Sequence, residues 1–566
     1  MKLVVVGGVA GGASVAARAR RLDANAQIIM FEKGDHVSFS NCCLPYYLSG
    51  TVRNSEDLIL MNPQKFKKQH NIDARTNSEV IAINRKSKTV SVKNLVNGEV
   101  YEESYDKLVL APGANPIMPK SISGINRKNV FAVRNVSDIR AIKSFINNTE
   151  IKNIVVVGGG FIGIEVAENL KQAEKNISLI EGSSQIMAPF DYDMVQILHK
   201  ELYDNGVNLY LSSTLVSIEE GFVNVIKNNE KFTVKADAVI MAIGVTPETS
   251  LASMCGIEIG ETRGIKVNQH YQTNDPDIYA VGDAIEYFNS LTHKPGRLAL
   301  AGPAQRQARA ATDHIYGIPS MNKGFIGSSC IRVFNQNAAC TGLNEKTASA
   351  AGFSFDSVTV IPNDKVGIMP DSHYMMFKLI FETPTGRILG AQAIGLGNVD
   401  KRIDVIAAMI TMGATLEDLK ELELCYSPVF GTAKDVVNLA AAVGLNILYG
   451  KFRQIHVDKV RNLVENNAYI IDVREKSEFE NGHLIGAHNI PLSQLEERLD
   501  EIPKDIPVYV HCRSGQRSYY ALCRLQGYGY KNITNISGSF LGISLYEYFN
   551  DKSQNRKPIL TKYNFN

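Results

Sequence analysis

A chain of 566 residues, with 60 lysines and arginines against 58 aspartates and glutamates and a net charge of +2, is too long for one hydrophobic core and too balanced to call for nucleic acid or a membrane surface as partner. No run approaches the ~20 apolar residues of a membrane span, and the opening MKLVVVGG reads as a buried strand rather than a signal peptide. Eight scattered cysteines form no disulfide framework, which points to the reducing cytoplasm.

The first element, KLVVVGGVAGGASVAARARRL, predicts a strand, a glycine turn running from Gly7 to Gly12, and an amphipathic helix. The next strand, IIMFEKG, ends in Glu32, 20 residues after Gly12, where a carboxylate binds the hydroxyls of an adenosine ribose while the helix start faces the pyrophosphate. Val9 interrupts the strict G-x-G-x-x-G pattern. After this unit comes SFSNCCLPYYLSG, with Cys42 and Cys43 adjacent and no C-x-x-C spacing. On the preceding helix Ser14, Arg18 and Arg21 share one face.

A second strand–turn–helix unit, NIVVVGGGFIGIEVAENL, satisfies the full pattern with Gly158, Gly160 and Gly163. ISLIEGS then supplies Glu181, which accepts from a ribose 2′-hydroxyl and repels a 2′-phosphate, so NADH is expected over NADPH. Two such turns imply two nucleotides, one held permanently and one exchanging.

YDKLVLAPGANP, with Ala111 and Gly113, and TNDPDIYAVGDAIE complete the order of motifs. This order resembles the pyridine nucleotide-disulfide oxidoreductases, flavoproteins with two dinucleotide-binding domains, over about residues 1–445. The resemblance implies a discontinuous FAD-binding domain (1–112 and 245–323), an NAD(P)H-binding domain (113–244) and an α+β dimerisation domain (324–445). It makes Asp283 the ligand of the flavin ribityl chain and turns LALAGPAQRQARAA into a helix facing the flavin pyrimidine end. SFSNCCLPYYLSG resembles the S-F-x-N-C-x-L-P-Y signature of the single-cysteine branch, which includes coenzyme A disulfide reductases, NADH oxidases and NADH peroxidases. The match assigns the redox role to Cys42, with Ser38 and Asn41 beside it, and leaves Cys43 at a variable position as a small buried side chain. It also implies that the Ser14, Arg18 and Arg21 face holds the phosphates of coenzyme A. By the same match Tyr426 reaches the flavin and cysteine of a partner subunit, with Lys434 nearby, so a homodimer is expected. The chain departs from the coenzyme A disulfide reductase pattern at GIMPDSHY, where Ile368 and Met369 precede Pro370 in place of a tyrosine pair.

The stretch from about 455 to 550 contains AYIIDVREKSEFENGHLIGAHNIP and VYVHCRSGQRSYYALCRLQGYGY, and resembles an α/β rhodanese domain. CRSGQRS is expected to wrap as six loop residues around the sulfur of Cys512, with backbone N–H groups, Arg513 and Arg517 stabilising a persulfide or anionic sulfur donor. His483 reads as a structural turn residue.

The fold expected is therefore α/β, two Rossmann-like domains followed by the α+β dimerisation and rhodanese domains. The function expected is NAD(P)H- and FAD-dependent reduction of coenzyme A disulfide, coenzyme A persulfide or polysulfide, coupled to sulfur transfer. No metal, nucleic acid or membrane is expected. An NADH oxidase or peroxidase working through a cysteine sulfenic acid, and a redox-sensing binding protein, are the alternatives.

Overall fold

The computed structural model describes residues 1–565. Two compact units divide the chain: Met1–Ser184 with Tyr210–Phe325, and Gln185–Leu209 with the chain from Ile326 onward.

The first unit carries two parallel sheets. Strands Ile278–Ala280, Lys107–Leu110, Lys2–Val6, Gln27–Phe31 and Asp73–Arg75 lie side by side in that order, all parallel. Asn176–Ile180, Asn153–Val157, Ala238–Met241 and Val130–Ala132 repeat the pattern. After a polar first residue, both central strands, KLVVV and NIVVV, are unbroken buried apolar runs, as parallel sheets covered on both faces require. Each runs into a glycine turn and a helix, Ala10–Leu22 and Phe161–Gln172.

The second unit pairs an antiparallel sheet with a parallel one. The antiparallel order is Ser329–Val333, Gln336–Gly342, Ile388–Gly395, Met375–Glu382 and Phe355–Val360. Inside the buried strand MMFKLIFE, Lys378 is only 1% exposed, yet it is charged: its Nζ lies 2.9 Å from Asp193, 2.9 Å from Glu345 and 3.2 Å from Asp191. Burial alone would lower its pKa, but Asp193, Asp191 and Glu345 together raise it. Two of these acids start helix Tyr192–Asp204, so the charge cluster fastens this helix to the sheet.

The parallel sheet runs Gln454–Ile455, Ile533–Ile536, Val508–His511, Tyr469–Asp472, His488–Asn489. Helix Ser539–Gln554 follows the strand Ile533–Ile536 and packs on Tyr192–Asp204. Tyr192 Oη donates to Asn550 Oδ1 at 2.9 Å, and the rings of His199 and Phe549 lie 4.9 Å apart. A Cβ on Gly542 would meet Met376 at 3.5 Å and Ile361 at 3.8 Å, so this helix also lies close against the antiparallel sheet.

Candidate functional site

The two glycine turns are built alike. Gly7 has φ +101°, and a Cβ there would sit 2.0 Å from the Ala111 carbonyl oxygen; Gly158 has φ +108° and would meet the Ala242 carbonyl oxygen at 2.3 Å. Gly12 and Gly163 approach the carbonyls of Gly7 and Gly158 so closely that any side chain would collide with them. By contrast Gly160 faces open space, and its counterpart in the first turn is Val9. The outer glycines therefore serve the protein's own packing, whereas the middle position faces whatever binds.

Both acids are fixed by backbone donors. Glu32 accepts from Gly8 N at 2.9 Å and Gly34 N at 2.8 Å, and Glu181 accepts from Gly159 N and Ser183 N, each at 2.7 Å. The first turn opens on a cavity of about 420 Å³ lined by Gly7, Glu32, Asn41, Ala111, Gly113 and Asp283 among others. Among the described residues the Asp283 carboxylate has no hydrogen-bond partner, and burial raises its pKa. A half-buried acceptor without a donor, lining the same cavity as a pyrophosphate-type turn, fits the hydroxyl chain of FAD. The helix expected from residue 298 begins at Ala301, and its Ala304 lines the same cavity.

Cys42 and Cys43 lie in the short 3-10 helix Asn41–Cys43, immediately before helix Leu44–Ser49. The residues just before them form a wall shared by two cavities. Phe39 and Asn41 line the first; Ser38, held at φ +49° with its N–H on the Gly8 carbonyl at 2.8 Å, lines the second. This second cavity, also about 420 Å³, gathers Ser14, Arg18, Arg21, Arg309 and His70 around Met61 and Phe66. The shared helix face expected from the sequence is there, but Arg18 is bound to Asp313. Arg309 and His70 were not anticipated: they come from distant helices, and only Arg309 stood in a stretch already singled out.

Cys42 is exposed and Cys43 half-buried, so the side chain expected to be buried is only partly so. Although Cys42 presents surface, enough protein surrounds it that burial raises its pKa, and Glu165, Cys43 and Asp283 push it further in the same direction. Glu165 itself is pushed up to about 7 by burial and by Glu168. It stands on helix Phe161–Gln172, which packs against helix Leu44–Ser49 through the Ser49 Oγ hydrogen bond to Asn169 Oδ1 at 2.7 Å. The sequence hinted at Glu165 only as a helix residue two places after Gly163.

In the parallel sheet of the second unit, Cys512 follows strand Val508–His511 and is 1% exposed. The loop is shorter than expected: helix Gln516–Gly527 already begins at Gln516, because Gly515 at φ +110° turns the chain directly into it. Arg517 therefore stands in the first helical turn and forms a two-pronged ion pair with Glu478, at 2.5 and 2.8 Å. The Cys512 sulfur accepts from Gly515 N at 3.1 Å, and Ser539 Oγ lies 3.9 Å away. The Arg513 guanidinium lies over the Tyr374 ring at 5.5 Å. His483 stacks on Phe479 at 3.8 Å, its Nδ1 2.8 Å from the Phe479 carbonyl oxygen, which is the geometry of a turn residue. Tyr426, Phe430 and Ile368 are exposed, and so is Lys434.

This architecture, two fixed dinucleotide turns with a cysteine directly following the wall residue Asn41 of the first cavity, defines a flavin- and nicotinamide-linked disulfide oxidoreductase. The chain belongs to the pyridine nucleotide-disulphide oxidoreductase family, whose profile matches residues 1–308, with the family's dimerisation domain at 329–435 and a rhodanese-like domain at 456–545. It is 33% identical to the coenzyme A disulfide reductase of Staphylococcus haemolyticus, an alignment covering 77% of this chain and 98% of that one. Among solved structures it is similar to reduced Bacillus anthracis CoADR-RHD, with 41% identity and a TM-score of 0.93 over 96% of this chain and 98% of that one. It is also similar to an NAD-dependent persulfide reductase from A. fulgidus, with 33% identity and a TM-score of 0.90 over 95% and 99% of the two chains. The chain is thus an oxidoreductase of this flavoprotein family joined to a rhodanese domain. Among the described residues no helix is long and apolar enough to cross a membrane.

Proposed function

We propose that the chain takes electrons from NADH and reduces a disulfide, persulfide or polysulfide of coenzyme A at Cys42, while its rhodanese domain carries sulfane sulfur on Cys512. The observation that carries this reading is the shared wall: residues 38–41, next to Cys42, separate a dinucleotide cavity from a basic cavity that suits the phosphates of a coenzyme A thiol. The relatives named for coenzyme A disulfide and persulfide reduction support it.

In this reading the Cys42 thiolate attacks one sulfur of the substrate; a Cys42–sulfur bond forms, the substrate S–S bond breaks and its electron pair leaves with the released thiolate. Arg21 holds the phosphate end, with Arg309 and Arg18, both paired with Asp313, lining the same cavity. Asp283 and Glu32 would hold FAD, which when bound would supply two-electron chemistry from NADH; on reduction the Cys42–sulfur bond breaks, the bound sulfur leaves as a thiol or, where it came from the outer atom of a persulfide, as sulfide, and the Cys42 thiolate is restored. We also propose that the enzyme works as a homodimer: Tyr426, Val429 and Phe430 form an exposed group on the dimerisation domain, suited to a second copy. A reducing cytoplasm fits the eight cysteines, among which no disulfide forms in the described residues.

The test is NADH oxidation by purified enzyme with coenzyme A disulfide, coenzyme A persulfide, cystine or oxygen alone. The coenzyme A compounds are expected to be reduced at least about tenfold faster than the others, and Cys42→Ser to abolish this while FAD is retained. Oxygen reduction at the same rate without any sulfur substrate would overturn the reading in favour of an NADH oxidase. Cys512→Ser is expected to stop sulfur transfer from thiosulfate to thiols and to leave reduction of preformed coenzyme A persulfide nearly intact. If that reduction also stopped, sulfur would have to pass through Cys512 on its way to Cys42.

A further inference from the structure

The two arginines of the Cys512 loop are not equivalent. Arg517 is neutralised by its two-pronged pair with Glu478, which leaves Arg513, the residue that follows the nucleophile in the chain, as the loop arginine without an acidic partner among the described residues. Its Nη2 is buried and has no hydrogen-bond partner among the described residues. An unpaired buried guanidinium N–H is costly in a finished structure unless its acceptor is a ligand. The Arg513 backbone is anchored, with its carbonyl accepting from Leu541 N at 3.0 Å and the Cys512 carbonyl accepting from Phe540 N at 3.0 Å. What supports the head of the side chain is a residue from the other domain of the unit: Tyr374, which directly precedes strand Met375–Glu382 of the antiparallel sheet.

Tyr374 is itself fixed. Its backbone bridges Asn363, and the strand it leads into pairs with Ile388–Gly395. Helix Ser539–Gln554, whose start holds the Cys512–Arg513 backbone, packs on helix Tyr192–Asp204, which Lys378 ties to the same sheet. The cysteine loop and the tyrosine are therefore held by one packed framework.

We propose that Tyr374 is a positioning residue of the sulfurtransferase site. The face of its ring carries the Arg513 guanidinium, so that Nη2 is presented to an anionic sulfane-sulfur compound at Cys512. The proposal rests on the reading of Cys512 as a sulfur carrier. With thiosulfate as donor, the Cys512 thiolate attacks the outer sulfur; the Cys512–sulfur bond forms, the donor S–S bond breaks, and its electron pair leaves with sulfite, so no external oxidant or reductant is needed. Arg513 offsets the charge of the donor and of the persulfide left on Cys512. A planar guanidinium stacks on a ring with its N–H groups directed outward, so exchange of Arg513 for lysine would keep a charge over the ring but lose the directed Nη2 donor. The rhodanese domain then depends on the dimerisation domain for a complete site.

The test uses the flavin-loaded full chain and compares alkylation of Cys512 by iodoacetate, an anion, and by iodoacetamide, which is neutral, with rates read by mass spectrometry of the Cys512 peptide. Arg513→Gln and Tyr374→Ala are each expected to lower the iodoacetate-to-iodoacetamide rate ratio by about threefold or more, as loss of a placed cation requires. Tyr374→Phe should keep the ratio, because it retains the ring. NADH-dependent disulfide reduction reports that each variant is folded. A ratio in Tyr374→Ala equal to that of the unsubstituted chain, or a ratio in Tyr374→Phe as low as in Tyr374→Ala, would overturn the proposal. Failure of the unsubstituted chain to take sulfur from any donor would overturn the sulfur-carrier reading instead, since the alkylation ratio does not depend on turnover.

Discussion

Arg18 Nε and Nη2 both donate to one carboxylate oxygen of Asp313, each at 2.6 Å, so the arginine expected to hold a substrate phosphate is already tied to its own fold. The pair joins helix Ala10–Leu22 to helix Ala301–Ile315, and Arg309 reaches the other oxygen of Asp313 at 3.7 Å. Of the three arginines lining the basic cavity, Arg21 alone has no ion-pair partner among the described residues.

The first prediction follows from this competition. Arg21→Glu should raise the KM for a coenzyme A substrate at least about tenfold, while NADH still reduces the flavin, because a phosphate contact is exchanged for a repulsion. Asp313→Asn should lower that KM by releasing Arg18 and Arg309. Steady-state kinetics decide, and an unchanged KM in Arg21→Glu would place the phosphates elsewhere.

The second prediction concerns Glu165 and Cys42. With its pKa raised from 4.5 to about 7, the folded chain binds an extra proton between those values, so Glu165 lends stability at low pH that is lost as pH rises through about 7. Glu165→Gln should therefore gain on the native chain at pH 8 and match it at pH 4, with a difference of at most about 3 kcal/mol, reduced by partial exposure. The same change should move the midpoint of Cys42 alkylation to lower pH, since Glu165 is the largest charge effect on that thiol. Thermal midpoints and alkylation rates against pH check both; a Cys42 midpoint that does not move would separate the two groups.

Much of this was legible in the sequence where function rests on local geometry. Gly7, Gly12, Gly158 and Gly163 declared themselves because backbone passes backbone too closely for any side chain, and Glu32 and Glu181 because they end the next strand. What the sequence could not display were partners brought together by packing. Asp313 lies 295 residues from Arg18, Glu478 lies 39 residues before Arg517, and Tyr374 belongs to a different domain from Arg513. The loop after Cys512 is shorter than its sequence suggests for a local reason: QRS reads equally as loop or as first helical turn, and only the left-handed Gly515 decides.

The third prediction tests the charge cluster beneath helix Tyr192–Asp204. Lys378→Met would leave Asp191, Asp193 and Glu345 without their shared cation, a loss that in buried pairs costs about 3–5 kcal/mol. Thermal unfolding should begin several degrees lower, and the transition lost first should be that of the second unit. Asp193→Asn should cost less, because Lys378 keeps two carboxylates. An unaltered midpoint in Lys378→Met would mean that the sheet and helix hold together without the cluster.

The last prediction is the choice of nicotinamide cofactor. Gly159 N and Ser183 N each hold one oxygen of Glu181, so the carboxylate cannot swing away from an incoming ribose as a free surface side chain could. A 2′-phosphate would have to approach a fixed negative charge, and a repulsion of about 1–3 kcal/mol makes NADH better than NADPH by roughly ten- to hundredfold in kcat/KM. Glu181→Gln keeps the size and one acceptor but removes the charge, so it should bring the ratio of the two kcat/KM values several-fold closer to one. Glu32→Gln, the equivalent change at the first turn, should leave the ratio alone and weaken FAD retention instead, which separates the two nucleotide sites in one experiment. Stopped-flow reduction of the flavin by each cofactor gives the ratio directly, and equal rates with NADH and NADPH in the unsubstituted chain would show that Glu181 does not meet the ribose.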